Sequence, residues 1–521
     1  MIESVSVKNY KAFESAHIDI KPITVFLGAN NVGKSSMLQL LLLLKQTATL
    51  GPSSERCPLR MYGPFVNMGS IENLFHNKNG KLPLEFSISF KNKQLQRKVL
   101  FLYKDFVQTV VRIPYLLPLK GLNDLRDEKI DVDDRGSFNR YIRSIFMVLE
   151  KNSVEQYKDT LGFLLSRNTK IAFRDINEIS VEGFMKTYDY LSALKKALEE
   201  GIYTVQYTLG IRKQSLLIIG FSILTSENCI LKINAENDAY LKSDFCPFDV
   251  EEGQIMSKRF IRNTSVFDCV QCDNQSDQDK TITNYIAYTA SLFFDFLKSE
   301  FSAESINHVK PLRANPKRYY VIDDEMITPY SPALDGDGVI KILRDNKTIR
   351  DSINEWLKRY NLSLKIEKSE DVIHHIKIVQ GELELDIPDV GFGISQMLPI
   401  LVQILYSRKK SVTIVEQPEI HLHPIMQADI ADCIRMASTE EKKFVIETHS
   451  EYFLRRIRRR VAKGDIPQHQ VAIFLFKGKT REKDCTEVSK LVVSETGAFD
   501  WPEDYYGGEL YNDLVEYIAA Q

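Results

Sequence analysis

Residues 28–35 read GANNVGKS, which places two glycines, a lysine and a hydroxyl at the spacing G-x-x-x-x-G-K-S. That spacing suits the gripping of a phosphate chain. Gly28 and Gly33 let the backbone curl so that successive N–H groups face a phosphate, at the start of a helix whose partial positive charge favours anions. Lys34 can reach the β- and γ-phosphates of a nucleoside triphosphate, and Ser35 can hold Mg²⁺. Asn30, Asn31 and Ser36 belong to the same loop and are taken as further nucleotide contacts. A glycine-rich turn with a chance Lys-Ser pair is the alternative. The flanks favour the phosphate loop, because the apolar run ITVFL precedes it and MLQLLLLL follows, giving strand–loop–helix.

Further reactive groups cluster late in the chain. The run SVTIVEQ at 411–417 is an apolar strand ending in Glu416, Gln417 and, two residues on, Glu419. A carboxylate at such a strand end is the usual second Mg²⁺ contact of a phosphate-loop enzyme. The next apolar run ends in Glu447-Thr448-His449-Ser450. At that tip His449 can bond a γ-phosphate or orient an attacking water, whereas a lone histidine elsewhere would be structural. Residues 390–396, VGFGISQ, put Gly393, Ser395 and Gln396 at the opening of an apolar helix. Read alone this is a simple helix start. Read with the phosphate loop, it is a second anion-binding turn that closes over a γ-phosphate held by another copy.

The elements that position these groups alternate. Two short strands precede the phosphate-loop strand. Helix 394–408, strand 411–417, helix 425–438, strand 443–448, helix 451–462 and strand 470–477 then read as a parallel sheet covered by helices. Residues 1–80 and 305–521 are therefore expected to be two halves of one nucleotide-binding domain, with an α+β insertion at 81–304. In between, 51–80 reads as a long loop, 83–90 with 98–112 as a hairpin, 138–200 as helical and 201–235 as strands. The polar stretch 263–281 reads as a mobile loop, 283–301 as a helix, 306–311 as a strand, 345–365 as helical and 372–387 as a hairpin.

Composition sets outer limits. The 521 residues carry a net charge of −2, so any nucleic-acid contact has to use a local basic patch. The apolar runs 37–44 and 215–224 are too short to span a bilayer. Seven scattered cysteines fit a reducing, cytoplasmic setting, and Cys269-x-x-Cys272 has no second pair at zinc-like spacing.

Together, GANNVGKSS, VGFGISQ, VTIVEQPEIHLHP and ETHSEYFLRR resemble the ABC-type ATPases of the SMC, RecF and OLD (overcoming-lysogenization-defect) group. They are similar to the stand-alone ATPases of prokaryotic anti-phage operons, such as the ATPase subunit of Septu-type systems. VKPLRANPKRYY at 309–320 and GAFDWPEDYYGGEL at 497–510 look like one such subfamily. The resemblance covers about 1–75 and 305–521. It implies an α/β fold, an ABC-type ATPase head with a mixed or parallel sheet flanked by helices, whose two halves are separated by the insertion. It implies ATP and Mg²⁺ as ligands, with Ser35 and Glu416 on the metal and Glu416 in the Walker B place. Gln417 falls where most relatives carry the catalytic Glu, so either Glu419 substitutes or hydrolysis is slow. Gly393 and Ser395 correspond to the signature motif, His449 to the switch histidine, and His421 and His423 to the D-loop near a dimer seam. A Q-loop glutamine is not evident; Gln39 and Gln46 are weak candidates.

What the resemblance implies about partners is a homodimer or higher oligomer around ATP and a separately encoded effector, a nuclease. Only 72 residues follow His449, too few for an appended nuclease domain. The alternatives are a RecF- or SMC-like DNA-repair or chromosome-structure ATPase, and a self-contained nuclease with carboxylates in the insertion. Arg455, Arg456, Arg458, Arg459, Arg460 and Lys463 form either a DNA- or RNA-binding collar or a solvated helix face. Lys310, Arg313, Lys317 and Arg318, beside Tyr319 and Tyr320, form a second basic segment, from which Arg313 could instead meet a phosphate or carboxylate near the nucleotide.

Overall fold

In the computed structural model, residues 1–52, 57–117, 119–152, 180–236, 239–246, 260–270, 281–302, 304–313, 315–322, 336–369, 372–439, 441–480, 483–499, 516 and 518 are described. The chain divides into two compact units. The first comprises Met1–Leu50, Tyr62–Asn79 and Ser299–Gln521; the second comprises Gly51–Met61 and Gly80–Lys298.

The chain opens with the antiparallel hairpin β1 (Ile2–Tyr10) and β2 (Phe13–Asp19), then β3 (Ile23–Gly28), whose six residues are all buried. Helix α1 (Lys34–Leu50) follows, and its run Leu40–Thr47 is buried without a break. A helix apolar on every side has no solvated face to offer and belongs in an interior.

The second unit holds β4 (Leu84–Lys91), α2 (Lys93–Leu116), α3 (Arg135–Lys151), α4 (Val181–Ala197), β5 (Ile202–Arg212), β6 (Ser215–Leu224), β7 (Cys229–Asn234) and β8 (Tyr240–Lys242). Strands β4 to β8 pair antiparallel in sequence order. The hairpin β9 (Ile261–Ser265) and β10 (Asp268–Val270) and most of helix α5 (Thr281–Glu300) complete it. Two expectations are corrected here. Residues 98–112 are not a strand but the body of α2. Leu95, Val99, Leu102, Phe106, Val110 and Ile113 are buried at three- and four-residue spacing, and Asn92 caps the helix by accepting from Gln94 N and Leu95 N. The stretch 263–281 carries strand structure up to Val270, and its remaining part, 271–280, lies outside the described residues.

Back in the first unit come β11 (Ile306–Val309), β12 (Tyr320–Val321), α6 (Gly336–Asp345), α7 (Lys347–Leu357), β13 (Ser363–Lys368), β14 (Ile373–Gln380) and β15 (Leu383–Asp386). After them run α8 (Phe392–Tyr406), β16 (Ser411–Glu416), α9 (Pro424–Ala437), β17 (Lys442–Glu447), α10 (Glu451–Ala462), β18 (Val471–Lys477) and β19 (Glu487–Leu491). The expected helix over 345–365 stops at Leu357, and the chain turns through Asn361, at φ 57°, into β13.

The principal sheet has the order β11-β16-β17-β3-β18-β19. All pairs are parallel except β18 with β19, so this α/β sheet is mixed but mostly parallel. One face, carrying Ile23, Val25, Leu27, Val415, Ile446 and Ile473, shares a core with residues of α6 to α10. On the other, Phe26 meets Phe474 and Phe476, and Phe13 meets Phe476. A sheet covered on both faces is what parallel strands require. A smaller antiparallel sheet is formed by β12, β14, β13 and β15. Among the described residues, no helix is long and apolar enough to cross a membrane.

Candidate nucleotide-binding site

The site is built at the C-terminal ends of β3, β16 and β17. Gly28 has φ 141° and Gly33 φ 93°. A Cβ at Gly28 would lie 2.4 Å from Phe476 O, and one at Gly33 would lie 2.9 Å from the Ala12 Cβ. Both positions therefore exclude side chains on steric as well as torsional grounds. Between them Asn31 adopts φ 62°, a left-handed conformation that asparagine tolerates better than most residues. Asn30 and Asn31 are exposed along the loop, and Ser36 N closes the first turn onto Gly33 O at 3.0 Å.

Lys34 is buried, with Nζ donating to Gly28 O at 3.0 Å and Ala29 O at 2.7 Å. Ser35 Oγ donates to both oxygens of Glu447, at 3.2 and 3.0 Å, and Lys34 Nζ stands 3.8 Å from Glu447 Oε1. Burial lowers the Lys34 pKa, against the opposing pull of Glu447 and Glu419. Burial likewise raises that of Glu447; Lys34 and Ser35 oppose the rise, and Glu416 and Glu419 add to it. Glu447 was not assigned a role from the sequence. A carboxylate closing an apolar strand was visible there, but nothing local pairs it with Ser35.

Glu416 lies opposite Glu447 in the β16–β17 register, one strand farther from the phosphate-loop strand. Its Oε1 is 2.5 Å from His308 Nε2. His308, on β11, is 3% exposed and has no hydrogen-bond partner for Nδ1 among the described residues. In the sequence, a single histidine in a short apolar strand carries no motif. Gln417 adopts φ 42°; its N–H donates to Glu447 O at 2.7 Å and its carbonyl accepts from Arg313 Nη2 at 3.0 Å. Glu419 accepts from Thr448 Oγ1 at 2.8 Å and from His449 N at 2.6 Å. Burial raises its pKa despite these bonds and Arg313. Arg313 is lowered to about 10 by burial, and its Nε and Nη1 have no partner among the described residues. His449 is solvent-exposed at the β17 tip, and desolvation followed by the charge of Lys34 lowers its pKa, which favours the neutral ring at neutral pH.

The structure thus brings Gly28, Gly33, Lys34, Ser35, Glu416, Gln417, Glu419 and His449 to one end of one sheet. The turn at 391–396 is placed differently. Gly393 neighbours Met426 and His421 O, and Ser395 and Gln396 are buried at 5% and 4% exposure, so neither side chain faces outward. His423 accepts from Ile425 N at the start of α9. Gln46 is no Q-loop candidate: its Oε1 accepts from Phe65 N and Val66 N, and its Nε2 donates to Val66 O.

Part of the cationic collar on α10 is paired with carboxylates. Arg456 bonds Asp429 and Asp432, Arg460 bonds Asp432 and Asp465, and Arg455 bonds Glu451. Arg458 donates to Gly497 O over the Phe499 ring, contacts that leave its charge in place, and Arg459 and Lys463 are exposed. In the other basic segment, Arg318 pairs bidentately with Asp389 and Lys310 reaches Pro64 O.

The oxygen donors Ser35 and Glu447, the lysine and the two glycines fit a magnesium-bound triphosphate in donor chemistry and in backbone space. The chain is similar to the DNA replication and repair protein RecF of Enterococcus faecalis (strain ATCC 700802 / V583), at 26% identity over 251 residues. That match takes in 46% of this chain and 65% of RecF, so the chain spans just under two thirds of its relative's length. Among solved structures it is similar to an Smc head bound to the C-terminal winged-helix domain of ScpA (TM-score 0.37, 11% identity, 94% of this chain and 98% of the other). It is also similar to the SMC head domain from Thermotoga maritima (TM-score 0.34, 9% identity, 94% and 98%). Residues 1–454 match the family described as the AAA ATPase domain, and with so much of the chain covered, the protein belongs to that family.

Proposed function

We propose that this chain binds ATP with a divalent metal at the phosphate loop, hydrolyses it slowly, and uses the bound state to bring copies of itself together. The observation that carries the reading is the convergence of Lys34, Ser35, Glu447, Glu419 and His449 at one end of a mostly parallel sheet. Lys34 and the loop N–H groups would bind phosphate oxygens. The metal would be held by Ser35 and a carboxylate from the tip of β16 or β17, Glu416 or Glu447. When bound it would neutralise charge that develops on the phosphates. Glu419 ties the Gln417–His423 segment to the His449 segment, so a shift at one tip is felt at the other. Slow turnover follows from Gln417, whose carboxamide is no base. The assembled state would control a separately encoded effector, a nuclease in anti-phage defence; the motif resemblance supports this part.

A second reading is favoured by the RecF relative: an ATPase acting in DNA repair, whose turnover DNA would stimulate in a strongly salt-dependent way. One experiment addresses the shared core. Sedimentation of the purified chain with and without ATP and Mg²⁺ is expected to show ATP-dependent self-association, lost in Lys34→Ala together with ATP binding. A Lys34→Ala chain that keeps full ATP affinity would refute the site.

A further inference from the structure

We propose that Arg313 binds the terminal phosphate of the nucleotide, so that the site tells a triphosphate from a diphosphate through this side chain. The inference rests on the nucleotide reading above and adds to it a phosphate ligand outside the phosphate loop.

Three observations carry it. First, this guanidinium has donors to spare. Nη2 donates to Gln417 O at 3.0 Å, whereas Nε and Nη1 are shielded from solvent and have no partner among the described residues. Buried N–H groups are paired in nearly every folded protein, so donors left open here point to an oxygen that arrives with a ligand. Second, the carboxylate at hand is already engaged. Glu419 acts on Arg313 through its charge, yet its two oxygens accept from Thr448 Oγ1 and His449 N. Third, Arg313 stands just beyond β11, the strand that borders β16, and meets Gln417 immediately past the β16 tip. The phosphate loop grips from the β3 end, and the carboxylates of β17 and β16 follow in that order across the sheet. A triphosphate held by Lys34, with its metal toward those tips, presents its terminal phosphate to the Arg313 side.

The chemistry suits the partner. Burial lowers the Arg313 pKa to about 10, so the side chain keeps its charge at neutral pH. A guanidinium N–H on a phosphate oxygen is a charge-assisted bond, and Glu419 already draws on both Lys34 and Arg313, the two cations that would flank the phosphate. Nη2 can stay on Gln417 O while Nη1 takes the phosphate oxygen. The terminal phosphate is then tied through one side chain to the segment that starts at Gln417, a tie that a diphosphate cannot make.

The test measures, by calorimetric titration of the full-length chain with Mg²⁺ present, the affinity for AMP-PNP, a triphosphate that resists hydrolysis, and for ADP. Wild type is expected to bind AMP-PNP more tightly than ADP. In Arg313→Gln the affinity for AMP-PNP should fall about tenfold or more, the worth of one hydrogen bond to a charged group, while that for ADP stays within about twofold. A parallel loss for both nucleotides would make Arg313 a structural tie of the Gln417 segment and overturns the assignment; so does a variant that binds both as wild type does. Should Arg313→Gln fail to fold, Arg313→Lys decides, because a single ammonium cannot span Gln417 O and a phosphate as the planar guanidinium does. A loss confined to AMP-PNP supports the contact, and a shared loss or none overturns it. Wild type that binds neither nucleotide would instead sink the nucleotide site as a whole.

Discussion

Gln417 occupies the place where a proton acceptor would be expected, and a carboxamide has no basic oxygen at neutral pH. Its backbone is fixed on both sides, by Glu447 O and by Arg313 Nη2, so a side chain at 417 is projected from a rigid point. Gln417→Glu is accordingly expected to raise the steady-state rate of ATP hydrolysis by about a hundredfold, the lower range of general-base catalysis. An unchanged rate would assign the base to Glu419, although both of its oxygens already accept bonds from Thr448 and His449. The phosphate loop was legible at this scale because its four fixed positions lie within eight residues. Glu447 was not, because its partner Ser35 stands 412 residues away and only the folded sheet sets them side by side.

Helix α1 carries Lys34 and Ser35 at its start and is fastened farther along by Lys45, which is fully buried, donates to Ile306 O at 2.6 Å and lies 4.1 Å from the Phe65 ring centroid. Burial lowers the Lys45 pKa from 10.5 to about 8. The unfolded lysine keeps its proton up to about pH 10.5, whereas the folded one releases it near 8. Between those values the unfolded chain binds more protons, so raising the pH favours the fold. The unfolding free energy of wild type relative to Lys45→Met should therefore increase by on the order of 2 kcal/mol from pH 8 to pH 10, as measured by urea titration. A difference that stays flat would show that this lysine is not titrating in the fold. At the element scale the alternation after residue 390 was legible, since each strand is a short apolar run between longer amphipathic ones. The body of α2 was not: its β-branched residues Val107, Thr109, Val110 and Val111 mimic a strand, and the four-residue spacing wins only because Asn92 caps the start and one face is buried.

For the whole molecule, the division into two compact units puts every group of the candidate site in the first. Hydrogen exchange followed by mass spectrometry should show ATP with Mg²⁺ slowing exchange at 28–36, 416–423 and 447–450, with β5 to β7 of the second unit unchanged. Protection spread evenly over both units would mean that the ligand acts through something other than this sheet end. Sequence order makes the insertion visible as a region, but the resemblance stops there, and among its described residues no group of His, Cys, Asp and Glu is placed to hold a metal ion. The sheet order has a consequence for biosynthesis. Strand β3 sits between β17 and β18, so the earliest-made strand of that layer has no neighbour until the latest ones are translated. At about 5–20 residues per second, the nascent amino-terminal segment waits on the order of tens of seconds on the ribosome with a greasy strand and helix uncovered. A cell making this protein must shelter that segment co-translationally, and no fragment stopping short of β17 can assemble the Ser35–Glu447 pair.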